Sequence, residues 1–295
     1  MPAASFLPPT IWGNHRLEWG QRTHVMGIIN VTPDSFSGDG IIHEALTTED
    51  VVVQAVALGR QFVMEGATMI DVGGESTRPR TQADSLAIEQ ELARVLPVIA
   101  ALYKALPEDV MLSVDTYHAE VARQALDAGA CIINDIWGLQ RDSMMAGLAA
   151  ERGVPVILMA NMRGFQKREI VSDVLRFLAS SIERALAAGV AWERIIIDPG
   201  IGFGTTPEEN LLLLRRLSEL RALNRPILLG TSRKSTIGLV LGGLSPSERI
   251  EGTAATVALG IAQGADIVRV HDVHEMVRVV KMSDAIVRGT YTLPE

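Results

Sequence analysis

The amino-acid sequence predicts a (β/α)8 barrel, the TIM-barrel fold of the α/β class. Three observations lead to this prediction: eight short apolar runs, helical segments between them, and a repeated glycine turn from helix into strand. Runs that are rich in β-branched residues and apolar throughout are typical of parallel strands buried on both faces. A doubly wound sheet is the alternative, but such sheets usually have fewer strands, and no GxGxxG pattern follows the first strand here.

The elements follow one another in regular alternation. The predicted strands are HVMGIIN (24–30), TMIDVGG (68–74), MLSVDT (111–116), CIINDI (131–136), VPVILMA (154–160), RIIIDP (194–199), RPILLGT (225–231) and DIVRVHD (266–272). The helical patterns between them include residues 49–65, 85–105, 118–128, 169–188, 207–223 and 249–263. Several are followed by a glycine suited to a helix C-cap, such as Gly66 and Gly264. This order of helix, glycine, turn and strand is half of a βαβ unit.

A short segment precedes the first strand. In TIWGNHRLEWG, apolar runs flank Gly13 and Asn14, which predicts a β-hairpin. We expect this hairpin to cover the bottom, amino-terminal mouth of the barrel. The predicted organisation is therefore an N-terminal segment with the hairpin over 1–23 and a single barrel domain over 24–290.

Composition excludes several classes of protein. The 27 basic and 35 acidic residues give a net charge of −8, which argues against a nucleic-acid binder that works by bulk charge. The single cysteine, Cys131, excludes an internal disulfide and any multi-cysteine metal site. No apolar run approaches the roughly 20 residues of a spanning helix. We therefore expect a cytoplasmic protein with neither membrane nor nucleic-acid partners.

Polar side chains follow seven of the eight predicted strands, and in a barrel these ends converge on one mouth, where active sites lie. A single Asp or Asn there can simply cap the next helix. Several pointing into one cavity need a polar ligand as partner. We expect Asp115, Asn134 and Asp198 to hold a polar heterocycle.

An anion is expected beside this group. Arg269 and His271 alternate on the last strand and so face the same side, near Asn30. Phosphate sites of barrels often form near strands seven and eight. Arg233 and Lys234, at a predicted helix start, also suggest an anionic ligand. The sequence shows no Ser–His–Asp arrangement and no HExxH motif, and it leaves acid–base roles open.

Two loops are long for connections between strand and helix. They are VTPDSFSGDG and ESTRPRTQAD, which follow the first two strands. Their glycine, proline, serine and aspartate content predicts a pair of lids that close over a substrate.

Seven motifs resemble one known family. They are MGIINVTPDSFS (26–37), IDVGGESTRPR (70–80), SVDT (113–116), INDI (133–136), DPGIGFG (198–204), GTSRKS (230–235) and RVHDV (269–273). In this order they are similar to the signature stretches of dihydropteroate synthases, folate-pathway enzymes and sulfonamide targets. The resemblance covers residues 23–288, nearly the whole chain.

The resemblance implies a (β/α)8 barrel, a homodimer and a Mg²⁺ requirement. The implied reaction is condensation of 6-hydroxymethyl-7,8-dihydropterin pyrophosphate with p-aminobenzoate, which gives 7,8-dihydropteroate and pyrophosphate. It is SN1-like: pyrophosphate leaves first, and the amine then attacks a delocalised pterin methylene cation.

The resemblance also implies roles for individual residues. The pterin would be bound by Asp115, Asn134, Asp198 and Lys234, the pyrophosphate by Asn30, Arg269 and His271, and the p-aminobenzoate by Thr77, Arg78, Pro79, Phe203 and Ser235. Asn30 would also bind Mg²⁺. The residues expected to contribute most directly to catalysis are Asp115, Asp198, Lys234, Arg269 and His271.

The chain departs from the family pattern at Ala160, where the family often has His, at Thr205, where it commonly has Lys, and at Asp39-Gly40, where a DGG-like run is usual. Two other functions share the pterin pocket. A methyltransferase acting on methyltetrahydrofolate would not need the STRP, SRKS and RVHD motifs. A catalytically inactive homologue should have lost some of the loop or anion-binding residues, all of which are present.

Overall fold

The computed structural model describes residues 7–32, 40–42, 47–75 and 86–291. Its strands are β1 (Thr10–Trp12), β2 (His15–Leu17), β3 (His24–Asn30), β4 (Met69–Gly73), β5 (Met111–Asp115), β6 (Ile132–Asp135), β7 (Val156–Met159), β8 (Ile195–Asp198), β9 (Leu228–Leu229) and β10 (Ile267–Val270). Its helices are α1 (Thr48–Glu65), α2 (Ile88–Ala105), α3 (Ala119–Asp127), α4 (Met145–Arg152), α5 (Ile170–Ala187), α6 (Pro207–Arg215), α7 (Ser235–Val240), α8 (Ile250–Ala262) and α9 (Val273–Val287).

The eight strands β3 to β10 form one parallel sheet in the order β8-β7-β6-β5-β4-β3-β10-β9. A parallel bridge between Ile197 of β8 and Ile227, directly before β9, joins the two ends of this sheet. The helices that follow the strands cover its outside, as in a closed barrel. The predicted (β/α)8 fold is therefore confirmed.

The apolar character of the strands explains their position. Nearly every residue of β4, β6, β7 and β8 is buried. Each helix buries one face against them: α1, for instance, buries Val51, Ala55 and Phe62 at helical spacing. Thr47 and Asp50 form a capping box that begins this helix.

The predicted hairpin is present as β1 and β2, and it lies against the amino-terminal ends of the barrel strands. The Thr10 hydroxyl donates a hydrogen bond of 2.5 Å to the carbonyl of Glu193, directly before β8. The Trp19 ring lies edge-on to His24 at the start of β3, with 5.7 Å between ring centroids. Trp12 and Trp19 are both part of the hydrophobic core.

Two predicted elements were too long. The helix expected over 207–223 ends at Arg215, and a 3₁₀ helix, Leu217–Leu223, follows it. The tighter turn places Leu217 and Leu220, three residues apart, on the same buried side. The strand expected over 225–231 is reduced to β9, partly because Pro226 has no N–H to donate to a ladder.

No helix within the described residues has the length and apolar composition needed to cross a bilayer. The two loops that the sequence predicts to be lids lie largely in 33–39 and 76–85, outside the described residues.

Candidate active site at the carboxyl-terminal mouth

Strand register brings the predicted polar residues together at the carboxyl-terminal mouth. Asp115, the last residue of β5, lies opposite Asn134 of β6 on one side and Gly73 of β4 on the other. One layer deeper, Asp71 lies opposite Ser113. Because Gly73 has no side chain, the Asp115 carboxylate meets no bulky neighbour on β4; a Cβ there would be 3.5 Å from that of Asp115.

Arg269 of β10 reaches across the barrel and connects these layers. Its Nε donates a 2.6 Å hydrogen bond to Oδ2 of Asp71, and its Nη2 donates a 2.8 Å bond to Oδ2 of Asp115. Nδ2 of Asn134 also donates to Oδ2 of Asp71, at 3.0 Å. One side chain from each of the strands β4, β5, β6 and β10 thus belongs to a single hydrogen-bonded group.

This group contains more acceptors than the residues described by the structure satisfy. One guanidinium faces two carboxylates, and Oδ1 of Asp71 has no hydrogen-bond partner among the described residues. Burial raises the pKa of Asp115, the charge of Arg269 opposes that rise, and the charge of Asp71 adds to it. Burial alone would lower the pKa of Arg269, but the charges of Asp71 and Asp115 raise it. The mouth can therefore bind a ligand that offers N–H donors.

Asp198 and Lys234 form a second pair of buried charges. Oδ1 of Asp198 accepts the backbone N–H of Gly200 at 2.7 Å, which fixes the orientation of the carboxylate at the end of β8. Burial raises the pKa of Asp198, and the Gly200 hydrogen bond and the Lys234 charge oppose that rise. Burial lowers the pKa of Lys234, and the charge of Asp198 opposes that effect.

The turn after β8 requires glycine. Gly200 has a φ of +71°, and a Cβ at this position would lie 1.8 Å from the carbonyl oxygen of Ala160. This close approach lets the chain reverse and brings Phe203 back over the mouth. The Lys234 ammonium lies 4.2 Å from the centre of the Phe203 ring, and the Arg163 guanidinium lies 4.8 Å from it. One aromatic ring is thus flanked by two cations.

His271, two residues after Arg269, is oriented by Ser232. The Ser232 hydroxyl oxygen accepts the backbone N–H of His271 at 3.1 Å and lies 2.9 Å from ring Nδ1. Ser232 therefore fixes the orientation of the imidazole ring beside the mouth.

The remaining predicted residues are more dispersed. Asn30 ends β3 at the mouth and is half-buried. Ser235 is exposed and begins α7, directly after Lys234. Thr77, Arg78 and Pro79 lie outside the described residues.

Two residues of the site were not predicted. Asp71 is fully buried at the centre of the hydrogen-bonded group. The signal that could have identified it is a carboxylate in the middle of an otherwise apolar strand. Ser232 was overlooked inside the TSRKS motif because a serine in a loop has no distinctive pattern.

Two of the departures from the family pattern have local structural roles. Ala160 is buried, and its N–H donates to the carbonyl of Asp198 at 2.9 Å. The Thr205 hydroxyl accepts the N–H of Gly202 at 3.1 Å and donates to Oδ1 of Asn210 at 2.6 Å. Thr205 therefore stabilises the turn that carries Phe203.

Comparisons with known proteins show the family of this chain. Residues 26–271 match the model of the pterin binding enzyme family. The dihydropteroate synthase of Clostridium beijerinckii is 48% identical over 94% of this chain and 98% of its own length. The structure of dihydropteroate synthase from Clostridium difficile in the presence of pteroic acid is 46% identical, covers 92% of this chain and 99% of that chain, and has a TM-score of 0.83. The Yersinia pestis enzyme in a complex with a sulfonamide drug has 39% identity and a TM-score of 0.85, with 95% of this chain and 99% of that chain covered.

The barrel, its polar mouth and the family match together define a pterin-binding enzyme of the (β/α)8 class. Every relative just described is named a dihydropteroate synthase. None of them is named a methyltransferase, the alternative that would use the same pterin pocket. The chain belongs to the dihydropteroate synthase family, alkyl-transferring enzymes of folate synthesis.

Proposed function

We propose that this chain condenses 6-hydroxymethyl-7,8-dihydropterin pyrophosphate with p-aminobenzoate, which gives 7,8-dihydropteroate and pyrophosphate. The observation that supports this most directly is the acceptor-rich group around Arg269, with Asp71 and Asp115 buried beside it. A pterin carries several N–H donors on one planar edge, and pyrophosphate carries the negative charge that Arg269 and Lys234 would meet. The relative from Clostridium difficile was studied with pteroic acid, which contains both halves of the product.

The pterin is assigned to Asp115, Asn134, Asp198 and Lys234. A carboxylate can accept two parallel N–H bonds, as it does from arginine. Asp198 is suited to this role because its orientation is fixed by Gly200 before any ligand arrives. A donor edge that bonds to Asp198 would also compensate the cost of burying its charge.

The pyrophosphate is assigned to Asn30, Arg269 and His271. Arg269 uses its Nε and one Nη on carboxylates, yet a guanidinium has five N–H donors and can bind an oxyanion as well. The bond between the pterin methylene carbon and the pyrophosphate oxygen breaks, and its electron pair leaves with pyrophosphate. Arg269 and Lys234 stabilise that developing charge. The amine nitrogen of p-aminobenzoate then bonds to the methylene cation and loses a proton.

The p-aminobenzoate is assigned to Phe203, Ser235 and the stretch Thr77, Arg78 and Pro79. Phe203 offers an aromatic ring with two cations close to it, Lys234 and Arg163, which suits an aromatic acid. Its carboxylate is expected near Ser235 at the start of α7.

Mg²⁺ is assigned to Asn30. Mg²⁺ prefers oxygen ligands and commonly retains waters while it binds substrate phosphates, so one amide oxygen at the mouth is a chemically suitable protein contribution. Glu75, Glu91 and His118 also lie close together, but an imidazole nitrogen suits Mg²⁺ poorly. When bound, Mg²⁺ would neutralise charge on the pyrophosphate.

The homodimer is assigned to α7 and α8. Leu239, Val240 and Leu241 are exposed at the end of α7, and Leu259 of α8 is 66% exposed. Contiguous exposed apolar residues are typical of an association surface. We expect Leu259→Glu to yield a monomer in sedimentation velocity, whereas Met64→Glu on α1, which is also exposed, should not. A monomeric wild type would contradict this assignment.

The cytoplasmic location and the domain limits 1–23 and 24–290 stay predictions from the sequence.

The deciding experiment is turnover by the purified protein. Formation of 7,8-dihydropteroate should require both substrates and Mg²⁺, and excess chelator should abolish it. Asp71→Asn should lower turnover, whereas Asp109→Asn, at a turn far from the mouth, serves as the control. Pyrophosphate release that yields no 7,8-dihydropteroate when p-aminobenzoate is present, methyl transfer from methyltetrahydrofolate, or no reaction at all would contradict the proposal.

A further inference from the structure

Three titratable side chains lie beside the mouth and have no part in the reaction proposed above. Glu75 follows β4, Glu91 is in the first turn of α2, and His118 directly precedes α3. One potential ligand atom from each lies within 4.8 Å of the others. Glu91 is only 1% exposed, and its Oε2 is 2.7 Å from Nδ1 of His118. A buried carboxylate of this kind needs a compensating partner, and His118 provides it.

Glu91 and its helix are packed tightly on the exit of β4. A Cβ at Gly74 would lie 3.1 Å from Cγ of Glu91 and 2.5 Å from Cγ2 of Val95. Arg94, one turn along the same helix, donates a 2.9 Å hydrogen bond to the carbonyl of Gly74. The position of the first turn of α2 therefore decides where the chain leaves β4.

Glu75 connects two points that are distant in the sequence. Its Oε1 accepts the backbone N–H of Leu86 at 3.2 Å. Glu75 directly precedes the segment 76–85 and Leu86 directly follows it. One hydrogen bond thus joins the two described residues that flank this stretch in the sequence.

The same cluster also contacts the aromatic part of the site. The rings of His118 and Tyr117 have centroids 4.1 Å apart. Tyr117 is buried in a small cluster with Phe203, whose ring lies beneath the Lys234 ammonium. His118 therefore packs on the small buried cluster to which Phe203 belongs.

We propose that Glu75, Glu91 and His118 are positioning residues for the p-aminobenzoate half of the site. They hold the exit of β4 against α2 and the start of α3, two residues before Thr77. The inference rests on the proposed function, because Thr77, Arg78, Pro79 and Phe203 are assigned to p-aminobenzoate there.

The charge on His118 is part of this arrangement. The groups that face it are Glu91 from α2, Glu75 from the exit of β4, and Asp135 and Asp142 from the end of β6 and the loop after it. Burial alone would lower the pKa of His118, but the hydrogen bond and charge of Glu91, with the charges of Glu75 and Asp142, raise it overall. The cation is therefore present at low pH and is lost as pH rises above the usual histidine range.

The test is steady-state kinetics with both substrates varied. Glu91→Gln and His118→Gln should raise KM for p-aminobenzoate about tenfold, as the loss of a charged hydrogen bond implies, with KM for the pterin pyrophosphate changed less than twofold. Glu89→Gln, exposed in the same helical turn, is the matched control. His118→Lys restores a cation and should return KM to near the wild-type value.

A pH series separates positioning from mere stability. The wild-type KM for p-aminobenzoate should rise as His118 loses its proton, and in His118→Lys this rise should be absent below pH 9. Equal changes in both KM values, a change in melting temperature alone, or an unchanged KM for p-aminobenzoate would overturn the proposal. Should Glu91→Gln not fold, the two His118 variants still decide the matter, because His118 is partly exposed. Inactive wild-type protein would instead contradict the proposed function. In that case the affinity of each variant for p-aminobenzoate can still be measured by calorimetric titration with pterin and pyrophosphate present.

Discussion

The two ends of the barrel contain the same kinds of buried charged residue but satisfy them differently. At the amino-terminal end, Asp284 accepts the backbone N–H and the hydroxyl of Thr23, both at 2.7 Å, and Nε–H of Arg288 at 2.8 Å. At the carboxyl-terminal mouth, Asp71 keeps one oxygen without a partner among the described residues. All hydrogen bonds of the first group are internal to the protein, whereas the second group has acceptors to spare.

This difference separates stability from function. Removing one partner of a fully paired buried charge is strongly destabilising, because it leaves an uncompensated charge in the interior. A buried charge with incomplete partners costs stability in the free protein, and a ligand with matching donors recovers that cost on binding. Substitutions of the buried charges at the amino-terminal end should therefore lower the free energy of unfolding. Substitutions at the mouth should preserve or raise it and should weaken ligand binding.

The largest expected effect is at the amino-terminal end. Asp284→Ala removes three hydrogen bonds and leaves Arg288, which is nearly buried, without its carboxylate. We expect the free energy of unfolding to fall by about 3–5 kcal/mol. Glu275→Ala, exposed on the same helix, should change it by less than about 0.5 kcal/mol. Denaturant titration measures both, and an equal response of the two variants would remove the basis of the comparison.

The next effect is a difference in pH dependence. Burial lowers the pKa of His24 to about 4 in the folded protein, below the ordinary 6.5. Because the unfolded chain then binds the proton more readily, this end loses stability as pH falls from 6.5 to 4, by an amount on the order of 3 kcal/mol. His24→Gln should flatten the acid side of the stability curve, and His274→Gln, at an exposed position, should not.

At the mouth the sign is reversed. Burial raises the pKa of Asp115, so the ionised carboxylate is disfavoured in the folded state. Its contribution to stability is fully present at pH values below the unfolded pKa and is lost as pH rises through the folded pKa. Asp115→Asn should therefore raise the unfolding free energy most at pH 8 and least at pH 4. A greater gain at pH 4 than at pH 8 would show that Arg269 fully compensates this carboxylate.

Much of this contrast could be predicted from the sequence, and the reasons for the rest are physical. Asp198 was identifiable because it ends an apolar strand, and in a barrel such ends converge. Asp71 stands as a carboxylate within an apolar strand, which indicates only that it is buried; its role depends on a hydrogen bond to Arg269, 198 residues away. The hairpin followed from local turn chemistry, whereas the end of α6 depended on how leucines pack against the barrel.

The candidate site shows the same limit. Lys234 and Phe203 were predicted separately from their motifs, but the contact of the ammonium with the ring depends on the Gly200 turn. Glu91 and His118 gave no signal because each lies in a helical pattern where a charged residue is ordinarily solvated. Their burial distinguishes Glu91 and His118 from ordinary charged residues of helices, and the sequence does not show whether a charged side chain is buried.

A smaller effect, on binding, is expected at Asp198. Asp198→Asn keeps the shape of the side chain but would turn a donor toward the N–H groups of a pterin bound as proposed. We expect pterin affinity to fall at least tenfold, about 1.4 kcal/mol, because a buried polar contact is left unmatched. The melting temperature should stay near the wild-type value or rise, since the cost of burying the charge is removed. Unchanged pterin binding by calorimetry would mean that Asp198 serves only the Gly200 turn.

The smallest effect is expected where the mouth resembles the opposite end. Arg233 has a φ of +56° and forms a two-point ion pair with Asp272, with 3.0 Å between Nε and Oδ2. Its N–H donates to the hydroxyl of Thr253, so this loop, although at the mouth, is held entirely by the protein.

Asp272→Asn should lower the unfolding free energy by about 1 kcal/mol, as expected for a partly buried pair. Because Arg233 directly precedes Lys234, kcat/KM should also fall a few-fold for both substrates. Glu219→Gln removes one partner of the exposed pair with Arg216 and should change neither quantity, which makes it the matched control. A different result would be that Asp272→Asn weakens the binding of only one substrate and leaves the free energy of unfolding unchanged. The ion pair would then resemble the groups of the mouth that need a ligand as partner, and the contrast would hold for individual residues rather than for the two ends of the barrel.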